Sequence, residues 1–291
     1  MAQMTKRPDA NTKVPRLKCP IGSIDAHFHL FGPKEHYPFD KSTVYETADA
    51  LPETLIGMHR ILGISGGVLV SGGAYGRDPR HMLDVLTRFP RYFRGVAVPT
   101  DYLDSQQIDH MHALGVRGLR FTNHPRGQHL APILPELAAR VAERGWHIQF
   151  YARAGGIVDA ADRLLALPNT IVLDHFGTIV AEEGLNQPAF RTILRMLDTG
   201  RVWVKLSGPM RCSKLDPPYP DMAVFARALV RHAPERLVWG SDWPHPNMND
   251  QVMPNDGDLL DLMLDWVPDG ATRDRILADN ARALYDFGPP G

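Results

Sequence analysis

A rhythm in the chain limits the fold more than any other feature. Eight short apolar runs recur, each followed by a longer stretch with helical spacing of its apolar residues. The runs are Ile24–His27, Gly67–Val70, Gly95–Val98, Val116–Phe121, His147–Tyr151, Thr170–Asp174, Val202–Leu206 and Arg236–Gly240. Amphipathic helices are expected between them, over Pro52–Leu62, Pro79–Phe89, Asp104–Leu114, Ile133–Arg144, Val158–Leu167, Pro188–Leu197 and Met222–His232. Leu259–Trp266 and Arg273–Leu284 complete the pattern. Continuous apolar runs of this length suit strands buried on both faces, as in a parallel sheet. Eight strand–helix units in about 260 residues predict a single α/β domain, a (β/α)8 barrel of the TIM type. An open doubly wound sheet would also alternate, but no glycine-rich phosphate fingerprint follows the first run. The barrel domain is expected over residues 21–287, preceded by a tail or strap over residues 1–20. The stretch from Gly32 to about Thr47 is long for a connection inside a compact domain and reads as a lid or pocket wall.

Charge and composition exclude several classes. The net charge of −1 gives no global pull toward nucleic acid or membrane. No apolar run approaches membrane-spanning length, and the polar N-terminal segment has no signal-peptide core. Cys19 and Cys212 form no ligand-type spacing and suggest a reducing compartment. A cytoplasmic protein with a small-molecule partner is expected, as a monomer or small homo-oligomer.

In such barrels the chemistry sits at the C-terminal ends of the strands. Strand one ends in His27 and His29, which share a face because strand side chains alternate, with Phe28 turned away between them. The sixth run ends in Asp174-His175, and the eighth leads into Gly240-Ser241-Asp242. His27, His29, His175 and Asp242 can therefore surround one point above the barrel. Such a set can bind a divalent metal and activate water. It can equally work without metal, with Asp242 as general base and the imidazoles stabilising an oxyanion. Arg120, Arg126 and Arg211 also lie at or after strand ends, although the protein as a whole is not basic. Guanidinium forks suit carboxylates, so this local excess points to an acidic substrate. Arg153 lies two residues beyond Tyr151 and would face the same way if that strand continues.

The pattern of His-x-His on strand one, His on strand six and Asp on strand eight resembles the amidohydrolase superfamily. Four longer stretches resemble its 2-pyrone-4,6-dicarboxylate lactonase branch: Ile24–Pro33, Arg117–Phe121, Asp174–Gly177 and Gly240–Met248. The resemblance implies hydrolysis of a carboxylated lactone in the breakdown of lignin-derived aromatics, without a metal. It implies that Asp242 takes a proton from water while His27, His29 and His175 polarise the ring carbonyl. Arg120, Arg126, Tyr151, Arg211 and Asn247 match positions that hold substrate in that family. Two departures bear on substrate choice. Gly177-Thr178-Ile179 replaces a stretch with a cation, for which Arg153 could substitute, and Gly72-Gly73 replaces a serine. The strand-four end offers Arg120, Thr122 and Asn123 rather than a metal-bridging acid, and an arginine beside a dication is unfavourable. No required cofactor is therefore expected. The alternatives are a single zinc or manganese at His27, His29, His175 and Asp242 in a metal-dependent amidohydrolase or decarboxylase, or a sugar-acid lactonase.

Overall fold

The computed structural model describes residues 3–43, 45–100, 103–122, 132–153 and 155–289. Eight strands form one parallel sheet in strict chain order: β1 Ile24–Phe28, β2 Gly66–Val70, β3 Phe93–Ala97, β4 Val116–Thr122, β5 His147–Tyr151, β6 Ile171–Leu173, β7 Val202–Ser207 and β8 Leu237–Gly240. Eight helices follow them: α1 Pro52–Leu62, α2 Arg80–Arg88, α3 Ser105–Leu114, α4 Leu134–Ala142, α5 Ile157–Leu165, α6 Pro188–Leu197, α7 Ala223–His232 and α8 Asp256–Trp266. This is the expected (β/α)8 barrel. The final helical stretch runs longer than the sequence pattern suggested. It begins at Gly270 and passes through a π-helical segment, Arg275–Asp279, before Asn280–Tyr285. No helix among the described residues is long and apolar enough to cross a membrane.

Strand alternation explains the layering. Leu69, Leu173, Val204 and Leu206 belong to the large apolar layer shared with the helices. Val68, Val70, Val96, Val172 and Val238 form a second cluster with Ala281 and Tyr285 of the last helix, which fills the barrel. Residues nearer the C-terminal strand ends on that inner face are polar: His27, Gln149, Asp174 and Lys205 are all fully buried.

The seam between β1 and β8 positions the site. His27 O accepts from Asp242 N at 2.8 Å, and His29 N donates to Trp243 O at 2.7 Å. Gly240 permits this approach, because a Cβ there would stand 2.8 Å from His27 N. The buried Asp25 carboxylate staples the same seam by accepting from the backbone N–H groups of His27 (3.1 Å) and Ser241 (2.9 Å).

The N-terminal arm runs along this face. Gln3–Met4 pairs in parallel with Tyr45–Glu46 in the long loop after β1. The Thr5 hydroxyl accepts from Asn247 N at 3.4 Å, and Lys6 N donates to Asn249 Oδ1 at 3.2 Å. Further on, Lys13 and Arg16 pair with Asp258 (2.6 Å) and Asp261 (2.9 Å) of α8. Asn255 is the N-cap of α8: its Oδ1 accepts from Gly257 N (3.1 Å) and Lys13 N (3.0 Å). Its amide group also donates to Asp9 Oδ2 (2.8 Å) and Asn11 O (2.9 Å). Asn255→Ala removes the cap and the arm's anchor together. The expected loss is about 1–2 kcal/mol of unfolding free energy in urea titrations. An unchanged midpoint would mean that the arm adds nothing to stability.

Candidate active site

A cavity of about 460 Å³ opens at the C-terminal ends of the strands, within the size range of small-molecule pockets. His29, Arg120, Tyr151, His175, Arg211, Asp242 and Asn247 line it. His27 lies beneath them, fully buried. The structure thus brings the four expected His and Asp side chains to one point. Asp242 Oδ1 stands 3.8 Å from His27 Nε2, 3.6 Å from His29 Nε2 and 3.8 Å from His175 Nε2. His175 and Asp242 occupy left-handed backbone (φ +47° and +63°), as does Asn247 (φ +64°). A non-glycine residue held there costs roughly 1–2 kcal/mol and persists where surrounding structure enforces it.

Asp242 is shared between two surroundings. Its Oδ2 accepts from Arg211 Nε at 2.8 Å, a charge-assisted hydrogen bond, and Nη2 of the same guanidinium stands equally close. Its Oδ1 makes no hydrogen bond and faces the imidazoles. Burial alone would raise the pKa of this carboxyl, but Arg211 and His175 outweigh burial and hold it well below the usual carboxylate range. Asp174 repeats the pattern one layer down. Burial raises its pKa, while Arg120, His27 and Lys205 pull it well below the ordinary value. Its Oδ2 accepts from Arg120 Nε at 2.9 Å. Its Oδ1 stands 3.1 Å from His27 Nδ1 and 3.6 Å from Lys205 Nζ. Burial lowers the pKa of His175 to about 4 and that of Lys205 to about 8.

Tyr151 ends β5 and supports two of these groups. The Arg120 guanidinium lies 5.1 Å from its ring centroid, and the His175 ring meets it edge-on at 5.8 Å. Arg153 is placed differently from expectation. The strand stops at Tyr151, so the alternation that would have turned Arg153 inward does not extend to it. It is exposed and is not among the residues lining the cavity. Arg126 lies outside the described residues. Tyr45 and Ser71 line the cavity without having been singled out for the site, beside Thr122 at the end of β4 and Arg77, which the loop after strand two offers near the replaced serine. Asp174 and Lys205 had a visible signal, since each is a charged residue at or within an otherwise apolar run.

His27, His175 and Asp242 each offer an atom within 4.8 Å of the others. The unpartnered Asp242 Oδ1 is the kind of oxygen a divalent cation takes. The residues fit such an ion in kind, although Arg211 already neutralises the same carboxylate.

Fold and site together define a barrel hydrolase of the amidohydrolase type. The chain belongs to the Amidohydrolase family, which it matches over residues 24–287. It is 35% identical to a 2-pyrone-4,6-dicarboxylate hydrolase of Comamonas testosteroni, covering 98% of both chains. It is 34% identical to a 4-sulfomuconolactone hydrolase of Hydrogenophaga intermedia, covering 93% of this chain and 90% of that one. Among solved structures, a ligand-free Agrobacterium tumefaciens protein superposes with a TM-score of 0.85 at 28% identity, covering 94% of this chain and 99% of the other.

The buried imidazoles set an acid limit on stability. Burial pushes His147, inside the barrel, down to about 3, and His175 to about 4. Both stay neutral in the fold at a pH where the unfolded chain, with imidazoles near 6.5, takes up protons. Stability is therefore full above about pH 6.5. Below it each imidazole removes about 1.4 kcal/mol per pH unit until its folded pKa is reached. Urea midpoints taken from pH 7 to 4 should show this fall, and His147→Leu should make it shallower. A flat profile would contradict the neutral, buried state of these rings.

Proposed function

We propose that this enzyme hydrolyses the ring ester of a small lactone carrying carboxylates or a similar anion, of the kind arising in aromatic-compound breakdown. The observation that carries the reading is the free Oδ1 of Asp242, directed at three imidazoles and flanked by Arg120 and Arg211. That arrangement supplies a base, an oxyanion site and two anion seats within one cavity. The curated relatives named above support it, since one is named for a dicarboxylate and the other for a sulfonated lactone.

In this reading Arg120 and Arg211 receive the substrate anions, with Tyr151 and Asn247 at their edges and Arg126 added by resemblance. Water enters beside Asp242 Oδ1 and attacks the lactone carbonyl carbon as Oδ1 takes its proton. His27 and His175 face the carbonyl oxygen as it becomes an oxyanion, with the His29 ring packed edge-on against His27. The tetrahedral intermediate collapses, the ring C–O bond breaks, and the leaving oxygen recovers the proton from Asp242. Arg211 has a second part. While it pairs with Asp242 that carboxylate is a weak base. A substrate anion drawn to the same guanidinium shares its charge and raises the basicity of Asp242 at the moment it is needed.

The second reading is a metal-dependent hydrolase, favoured by the spacing of His27, His175 and Asp242. These residues would hold a divalent ion, which would supply Lewis acidity and a bound water of lowered pKa.

A hydrolysis screen of carboxylated lactones, pyrone dicarboxylate first, with and without chelator, separates the readings. Ring opening should survive chelation. Asp242→Asn should lower kcat by about 10²–10⁴-fold, the usual worth of a general base, while still binding the lactone. A stoichiometric metal whose removal abolishes turnover, or an Asn variant with near-normal kcat, would overturn the metal-free mechanism.

A further inference from the structure

Lys205 sits inside the barrel and lines no part of the cavity, yet its ammonium determines what His27 can do. It is fully buried in the middle of β7. An ammonium has three donors and no acceptor. Lys205 Nζ lies 2.9 Å from Ala26 O, 2.8 Å from Gln149 Oε1 and 3.2 Å from His27 Nδ1. Three donors thus meet three acceptors, and the third acceptor is the Nδ1 lone pair of His27. The rival partner is Asp174 Oδ1, 3.1 Å from the same nitrogen. That oxygen lies within reach of Nδ1 but outside the direction of a well-formed hydrogen bond, so the ammonium is the better placed of the two partners.

A neutral imidazole carries one proton, and with Nδ1 accepting, the proton belongs to Nε2. The next ring agrees. His29 Nδ1 stands 2.8 Å from Val70 O, which can only accept, so His29 keeps its proton on Nδ1 and presents a lone pair at Nε2. His27 Nε2 lies 3.4 Å from that lone pair. A directed chain results: Lys205 donates to His27, His27 to His29, and His29 to the Val70 carbonyl.

We propose that Lys205 is a positioning residue that locks His27 in the Nε2–H tautomer, turning a ring able to ligate a cation into a neutral donor whose proton rests on His29 and passes to the reacting carbonyl oxygen when substrate displaces that contact. The last clause rests on the lactonase reading; the tautomer does not. The assignment also bears on metal binding, because an Nε2 that carries a proton offers no lone pair. Without Lys205, His27 would turn to the opposite tautomer, with Nδ1–H donating to Asp174 and Nε2 open, the arrangement of a carboxylate–histidine–metal triad.

Long-range proton–nitrogen correlation spectra of the 15N-labelled full-length protein, recorded without added metal, test this directly. The His27 signals are assigned by their loss in His27→Gln. The wild type should show a protonated Nε2 and an unprotonated Nδ1, and Lys205→Met should reverse the two. In the kinetics, Lys205→Met should lower kcat by roughly 100-fold, the scale of one lost oxyanion donor. KM should change by less than about threefold, because Arg120 and Arg211 keep their places. A protonated Nδ1 on His27 in the wild type overturns the proposal, as does a folded Met variant with unchanged tautomer and kcat. If the Met variant does not fold, the wild-type spectrum alone decides. If the wild type opens none of the lactones, the functional reading fails, while the spectrum still decides the role of Lys205.

Discussion

Burying two carboxylates, Asp174 and Asp242, at the top of one barrel costs several kcal/mol each unless cations meet them there. The structure meets that demand with Arg120 on Asp174, Arg211 on Asp242 and Lys205 beneath both the former and His27. Three cations against two carboxylates leave a small positive excess at the floor of the cavity. Removing any partner would strand a buried charge, so the five groups hold each other in one arrangement. His27 and His175 then stay neutral because burial, with nearby cations contributing, opposes a further positive charge. The protein builds a rigid array of neutral rings and fixed charges, which is the kind of environment that stabilises developing charge without reorganising.

The barrel was legible because its signal is repeated eight times. Val68, Leu69 and Val70 say little alone, but the same pattern at regular intervals leaves few topologies. The His and Asp set was legible for a related reason: strand alternation joins His27 to His29, and barrel geometry carries His175 and Asp242 to the same end. What escaped the sequence depends on where a strand stops and on long-range pairing. Arg153 obeys the alternation of β5 only if the strand passes Tyr151, and it does not. Lys13 and Arg16 read as scattered basic residues because their partners, Asp258 and Asp261, lie 245 positions away.

Lys205 and Asp174 illustrate a subtler gap. Both stand out in the sequence as charges in apolar surroundings, but their meaning lies in which atom of His27 each one reaches. Distances of 3.2 Å to Lys205 and 3.1 Å to Asp174 are nearly equal, and only hydrogen-bond direction separates them. No residue pattern encodes that direction. It follows from the closure of β1 against β8, which fixes the ring of His27 relative to β6 and β7.

The same competition at Nδ1 explains how one constellation of histidines and aspartate can serve two chemistries. When a carboxylate takes the Nδ1 proton, Nε2 is a ligand and the site favours a metal. When an ammonium fills Nδ1, Nε2 is a donor and the site favours an oxyanion. Here both groups are present within hydrogen-bonding range, and the ammonium has the better direction. On the proposed tautomer, the choice between the two chemistries in this barrel rests on a buried lysine that lines no part of the cavity as much as on the histidines themselves.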